Sequence, residues 1–145
     1  MEMTARLDLP LLAVAQAAKE MTVNEALTLL DAAIQPVVEG ELSAPPSHPE
    51  VGQGWLVGAS GTGAFAGHPG AIAVWTKGGW RFVAPFEGLA IWDRGSGVIV
   101  RRQSTNWQRG AAVSVPSGGA VVDAEARAVI ATIVARIRDF GIIAA

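Results

Sequence analysis

Apolar positions recur at helical spacing near both ends of the chain and fall into short runs between them. Toward the N-terminus, Ala26, Leu27, Leu30, Ala33 and Ile34 share one stripe of a helix. Thr22-Val23-Asn24-Glu25 has the spacing of a capping box, in which the Thr22 hydroxyl accepts from the Glu25 amide and Glu25 reaches back. That predicts a helix starting at Thr22 and limited by Pro36. Upstream, Leu7-Asp8-Leu9-Pro10 puts a proline where the first turn of a helix accepts one, and Leu11 to Lys19 is Ala-rich and helix-compatible. At the other end Val129, Ile130, Ile133, Val134 and Ile137 form a wide apolar stripe, with Arg127, Thr132, Arg136 and Arg138 off it. Asp123 is placed to cap this helix, and Gly141 after Phe140 suits a left-handed exit. Burying five such side chains contributes on the order of 10 kcal/mol before entropy is charged. The stripe therefore needs a covering surface, in the same chain or on another subunit.

The middle reads as short strands. Trp55-Leu56-Val57 is one. Ala71 to Thr76 and Trp80 to Val83 flank Lys77-Gly78-Gly79, a hairpin pattern because glycine supplies the positive φ of tight turns. Leu89 to Trp92 and Val98 to Arg102 flank Arg94-Gly95-Ser96-Gly97 in the same way. Strands at this spacing predict a small antiparallel sheet or partial barrel. Gly58 to Gly70, with five glycines, reads as a loop of unusual backbone angles or close backbone approach. Between helix and strands, Ser43-Ala44-Pro45-Pro46-Ser47-His48-Pro49 favours extended, semi-rigid backbone. The expected organisation is α+β: an N-terminal helical docking segment over 1–40, a Pro-rich linker over 41–54, a Trp/Gly-rich β core over 55–119, and an amphipathic helix over 120–145.

Length and composition narrow the class. A chain of 145 residues that is half apolar and 17% charged fits one domain with a real core and excludes disorder. So little charge suggests that part of the exterior is covered by other subunits. With no cysteine, disulfides and thiolate metal sites are excluded. Glu2, Arg6 and Asp8 with no long apolar run predict no signal peptide, and no stretch is long enough to span a membrane. The net charge of −2 hides an asymmetry. Residues 1–50 carry Arg6 and Lys19 against eight acids, while residues 51–119 carry Lys77, Arg81, Arg94, Arg101, Arg102 and Arg109 against Glu87 and Asp93. Such a division could dock subunits acidic end to basic end, offer the basic middle to an anionic ligand, or be solvated surface.

Candidate chemistry is sparse. Gly61-Thr62-Gly63 with Ala66 loosely fits a dinucleotide fingerprint, but Pro69, Gly70 and a strand follow where a phosphate-binding helix should start. His48 and His68 lack ligand-type neighbours at helical spacing, so zinc has no support; His68, between Gly67 and Pro69, reads as a turn residue with a local ring hydrogen bond. There is no nucleophile elbow, and Glu87 and Asp93 are the only acids of the middle segment. No catalytic, metal or cofactor residues are expected, and the chain reads as a non-enzyme. All five tryptophans lie in the middle. Trp75, Trp80, Trp92 and Trp107, with Arg94, are the candidates for sugar or partner binding, since ring faces suit sugar C–H faces and guanidinium forks suit carboxylates. The plainer reading places Trp75, Trp80 and Trp92 in the core of a small sheet. A pI of about 5.6 argues against nucleic acid.

Several runs together resemble one family. Ala5-Arg6-Leu7 with Leu9-Pro10, Gln16-Ala17-Ala18-Lys19-Glu20, Asn24-Glu25-Ala26-Leu27 and Leu30-Asp31 are similar to the N-terminus of a domain of unknown function found in tailed phages, prophages and gene transfer agents. The likeness continues through Thr62-Gly63-Ala64-Phe65-Ala66-Gly67-His68, Gly70-Ala71-Ile72-Ala73, Trp75, Gly79-Trp80, Phe82, Pro85 and Gly88, and into the closing helix from Asp123 to Gly141. Ala18 stands where the family commonly has a second glutamine. The resemblance implies a virion component made in the bacterial cytoplasm and displayed on the particle surface, the base of a head spike that holds a receptor-binding fibre. Implied partners are further copies of the chain in a pentamer or trimer, capsid or tail proteins, and the fibre. The alternative is a carbohydrate-binding module or tail-fibre component contacting host capsular polysaccharide, with a capsule depolymerase third. No nucleic acid, membrane insertion or cofactor is implied.

Overall fold

The computed structural model describes residues 2–13, 19–119 and 123–144. Helix α1 (Lys19–Ala33) precedes eight strands: β1 (Val37–Val38), β2 (Glu41–Leu42), β3 (Gly54–Val57), β4 (Ile72–Thr76), β5 (Gly79–Val83), β6 (Ala90–Asp93), β7 (Val98–Gln103) and β8 (Asn106–Arg109). Helix α2 (Ala124–Asp139) follows. The strands make two four-stranded sheets, ordered β1-β6-β7-β8 and β2-β3-β4-β5. The fold is α+β, and the sheets do not close into a barrel.

Both expected hairpins are present. In β4–β5, Trp75 faces Trp80 and Ala73 faces Phe82, and the Thr76 hydroxyl donates to the Gly79 carbonyl at 2.7 Å to close the turn. In β6–β7, Trp92 faces Ile99 and Asp93 faces Val98. Strands β1 and β2 are only two residues each and run parallel to their partners, Val37 opposite Trp92 and Glu41 opposite Leu56. The chain crosses from one sheet to the other through Glu39 and Gly40. Glu41 and Leu42, at the start of the expected linker, are therefore sheet residues.

Alternation along the strands builds two cores. Leu56, Ile72 and Val74 from the second sheet meet Val38, Ile91, Val98 and Val100 from the first, with Leu89 and Ala32 closing the ends. On the opposite face of the second sheet, Trp55, Val57 and Ala73 pack with Phe65, flanked by Trp80 and Phe82. The glycine-rich loop covers this second face. It turns through a short 3-10 helix (Gly63–Phe65) that drives Phe65 to full burial. Gly61 must be glycine, because a Cβ there would run into the Phe65 carbonyl. The glycines thus seat an aromatic ring.

Several sequence expectations are corrected. Thr22 and Glu25 lie inside α1, which begins at Lys19, so the capping-box spacing does not mark a helix start. Residues 11–13 are not helical, and 14–18 lie outside the described residues. Pro10 bridges to Met3 in a small N-terminal hairpin instead of opening a helix. The stripe expected to bury α1 is largely in solvent, Leu30 and Ile34 included; the helix buries Asp31 and Ala32. Asp31 explains the difference. Its carboxylate accepts from the Thr4 hydroxyl at 2.8 Å and from the amides of Leu7 at 2.7 Å and Arg6 at 3.1 Å. Arg6 returns along the helix end, donating to the carbonyls of Asp31 and Gln35. A hydrogen-bonded hairpin, not an apolar surface, covers this side of α1.

Helix α2 begins as expected, with Asp123 accepting from the Ala126 amide at 2.8 Å. Its apolar stripe does not find a cover in the chain. Val134 is buried, but Val129, Ile130 and Ile133 are 57%, 40% and 52% exposed. The helix is tied to the body by the turn after it, where Gly141 accepts from the Ile99 amide at 2.7 Å and Ala144 donates to the Gly110 carbonyl at 3.0 Å.

Candidate functional site

The five residues singled out from sequence do not come together. Trp75 and Trp80 meet across the β4–β5 hairpin with ring centroids 5.0 Å apart, and Trp80 also packs edge-on against Phe65 and Trp55. These two half-buried rings belong to the aromatic face of the second sheet. His68 joins them, its ring stacked on Phe82 at 3.8 Å between centroids rather than hydrogen-bonded in its turn. Trp92 lies on the outer face of the first sheet, beneath Gly141 at the end of α2. It is 38% exposed, so it is not a core residue. Arg94 is engaged by Glu39 at 2.9 Å.

Trp107 stands apart in a groove of about 520 Å³ between β8 and the turn at Pro69-Gly70. Its indole Nε1 donates to the Gly70 carbonyl at 2.9 Å, which fixes the ring plane. The Arg102 guanidinium lies 5.9 Å from the ring centroid, within cation–π range. Asn106, Thr105 and Arg109 also line the groove. Cross-strand register explains this grouping: Arg102 lies opposite Trp107, and Val100 opposite Arg109, so all face one side of the sheet. Asn106 and Thr105 were not legible beforehand, because β8 is short and polar and carries no alternation of its own.

Asp93 anchors the same end of the sheet. It is 3% exposed and accepts from the Gly95 amide at 2.9 Å and the Ser96 amide at 3.3 Å, capping the β6–β7 turn. Arg109 approaches it at 3.2 Å and Glu41 at 3.3 Å, joining the two sheets. Burial alone would push the Asp93 carboxyl up. Hydrogen bonds from Ser96 and the Arg109 guanidinium outweigh it and hold the group below its ordinary value. The other acid of the middle segment, Glu87, accepts from the Ser104 amide at 2.6 Å. Both carboxylates therefore hold turns.

The charge asymmetry has a physical role within the chain. Glu2 pairs with Lys77 at 3.0 Å, Glu25 with Arg81 at 2.7 Å, Glu39 with Arg94 and Glu41 with Arg109. Each pair joins the acidic N-terminal part to the basic middle. A second cavity, of about 350 Å³, lies under this seam between the N-terminal hairpin, α1 and the β4–β5 turn. Asn24, Thr28, Asp31 and Trp75 line it. Among the described residues, no three His, Asp or Glu stand close enough to hold a metal ion, and no helix is long and apolar enough to cross a membrane.

Residues 23–108, from within α1 to the middle of β8, match the family described as "Protein of unknown function (DUF2793)". The chain belongs to this family. No curated protein matches the chain. The DUF2793 match takes in both sheets, the Phe65 loop, Asp31, Asp93 and Trp107, while the N-terminal hairpin and α2 lie outside it.

Proposed function

We propose that the chain is a structural virion protein, of a phage or gene transfer agent: the homo-oligomeric base of a head spike that anchors a receptor-binding fibre to the capsid. The observation that carries this reading is the uncovered apolar stripe of α2. Val129, Ile130 and Ile133 on the helix and Phe140 at its C-cap are exposed, and the helix buries Val134 alone. A face of this kind on a compact body is what a subunit offers to an assembly. The body suits an anchor, since the two sheets are cross-linked by Arg109 and the N-terminal hairpin is locked by Asp31. The sequence resemblance to phage and gene-transfer-agent proteins supplies the particle. A ring of five would match a capsid vertex and a ring of three a fibre. The test is to purify particles from the strain that encodes the chain and probe them with an antibody to it. Co-sedimentation with particles supports the assignment; the chain found only in the particle-free fraction overturns it.

One observation favours a second reading. The Trp107 groove sets an oriented indole beside Arg102, which no carboxylate pairs among the described residues, and beside the amide of Asn106. That set suits an acidic saccharide, a carboxylate on the guanidinium and a sugar face near the ring. Titration with capsular polysaccharide and its acid-reduced form separates the readings. Saturable binding that needs the carboxylates and is lost in Arg102→Ala supports a glycan-binding role, and no binding removes it.

A further inference from the structure

We infer that the exposed stripe of α2 is covered by α2 of a second copy of this chain, the two helices packing antiparallel about a two-fold axis at Ile133. The inference rests on the self-association in the proposed function, and assigns the stripe a two-fold contact between copies in place of a five- or three-fold one.

The spacing of the stripe is the first reason. Ala126, Ile130, Ile133, Ile137 and Phe140 follow one another at intervals of four, three, four and three, the repeat that keeps one seam facing a partner helix. In the chain itself most of the seam is bare, with Ile133 52% and Phe140 72% exposed and Ile137 half-buried. The neighbouring flank is already taken. Arg138 donates to the Val113 carbonyl at 2.8 Å, and Arg127 donates to the carbonyls of Pro116 and Gly118, so segment 111–119 runs beside the helix. The face that carries Ile130, Ile133 and Phe140 remains open.

Size and charge then select the orientation. With the axis at Ile133, Phe140 of each copy lies over Ala126 of the other, the largest ring of the seam on its smallest side chain. A parallel pairing would crowd Phe140 against Phe140 and leave a gap at Ala126. The helix is acidic in its first turn, at Glu125, and basic in its last, at Arg136 and Arg138. Antiparallel packing sets these ends against each other and opposes the helix dipoles. An isologous two-fold contact of this kind closes on itself.

The area sets the strength. A helix of sixteen residues is about 24 Å long, and one such pair buries less than the roughly 1,200 Å² of a standard stable interface. Val113 and Val115, exposed beside the helix, enlarge the apolar area. The association is therefore concentration-dependent, with a dissociation constant in the range of about 1 to 100 µM.

The chain has no cysteine, which allows an unambiguous experiment. Ala126→Cys and Phe140→Cys chains are prepared separately, mixed at about 50 µM, and oxidised. The expected product is a disulfide-linked dimer in the mixture and not in either variant alone. Cross-linking within a single variant shows parallel packing and overturns the inference, as does the absence of any cross-link. Sedimentation equilibrium of the unmodified chain and of Ile133→Glu provides the second arm. Dimer in the first and monomer in the second is expected, with unchanged circular dichroism, because Ile133 is half in solvent in the single chain. A larger closed oligomer that survives Ile133→Glu overturns the α2 seam but leaves the particle assignment standing. Failure of co-sedimentation with particles removes that assignment without touching the cross-link.

Discussion

The hydroxyl of Thr4 donates to Oδ1 of Asp31 at 2.8 Å, across 27 residues of sequence, and both groups are buried. The same carboxylate holds the amides of Arg6 and Leu7, so one helical side chain fixes the whole N-terminal hairpin. Asp31→Ala leaves those donors without an acceptor. The expected loss is about 2 to 3 kcal/mol in urea unfolding, together with fast hydrogen exchange at the Arg6 and Leu7 amides. Asp31→Asn, which keeps one acceptor oxygen, restores part of both. Unchanged exchange at those amides in the alanine variant would show that the hairpin is held by something else.

Asp93 makes acid sensitivity predictable. Its folded-state carboxyl lies below the ordinary value of 3.8, held there against burial by Ser96 and Arg109. A depressed folded value means the unfolded chain binds the proton more tightly. The stabilisation is therefore complete above the ordinary value and is lost as pH falls through the folded one. Asp93→Asn is expected to be less stable than the parent at pH 7, with the difference constant down to about pH 5 and closing below about pH 4. Denaturant midpoints of the two proteins across that range provide the measurement. A difference that persists at pH 2 would assign the contribution to shape and not to charge.

Gly141 joins α2 to the first sheet in a conformation that other residues adopt poorly, with φ at +65°. A Cβ there would also press into the six-membered ring of Trp92. Gly141→Ala therefore combines left-handed strain with displacement of an aromatic side chain. It is expected to cost about 1 to 2 kcal/mol and to release the contact between the Gly141 carbonyl and the Ile99 amide. Gly97→Ala is the comparison, since it has φ at +66° with no atom near its added carbon. A larger fall in melting temperature for Gly141→Ala isolates the Trp92 contact.

How much of this was legible in the sequence follows from the range of each interaction. The β4–β5 hairpin was, because Lys77-Gly78-Gly79 dictates a turn and its flanking strands pair locally. The Asp123 cap and α2 were legible for the same local reason. Strands β1 and β2 were not: two residues show no periodicity, and their partners Trp92 and Leu56 are remote. Asp31 follows Leu30 on the helix, yet nothing local tells a buried carboxylate from a solvated one when its partners precede the helix. The tryptophans misled for a related reason. Their shared stretch of sequence is divided between two sheets, with Trp107 lining a groove beside Arg102 and Arg109 and Trp75 lining a separate cavity beside Arg81.

The four ion pairs between the acidic and basic parts differ in surroundings, and their contributions should differ accordingly. Lys77 and Glu2 are 68% and 58% exposed at the side chain, so solvent and salt screen them and Lys77→Ala is expected to change stability by less than about 0.5 kcal/mol. Arg109 bridges Glu41 to Asp93, whose side chain is 4% exposed. Arg109→Ala leaves a buried carboxylate with turn amides but no cation. The expected cost is several times that of Lys77→Ala, and Arg109→Ala together with Asp93→Asn should cost less than the sum of the two single changes. Unfolding free energies of the four proteins complete the cycle. Because all four pairs are internal, raising salt to about 0.5 M should lower the melting temperature slightly without dissociating any oligomer. Loss of an oligomer at that salt would mean that the acidic and basic parts also meet between subunits.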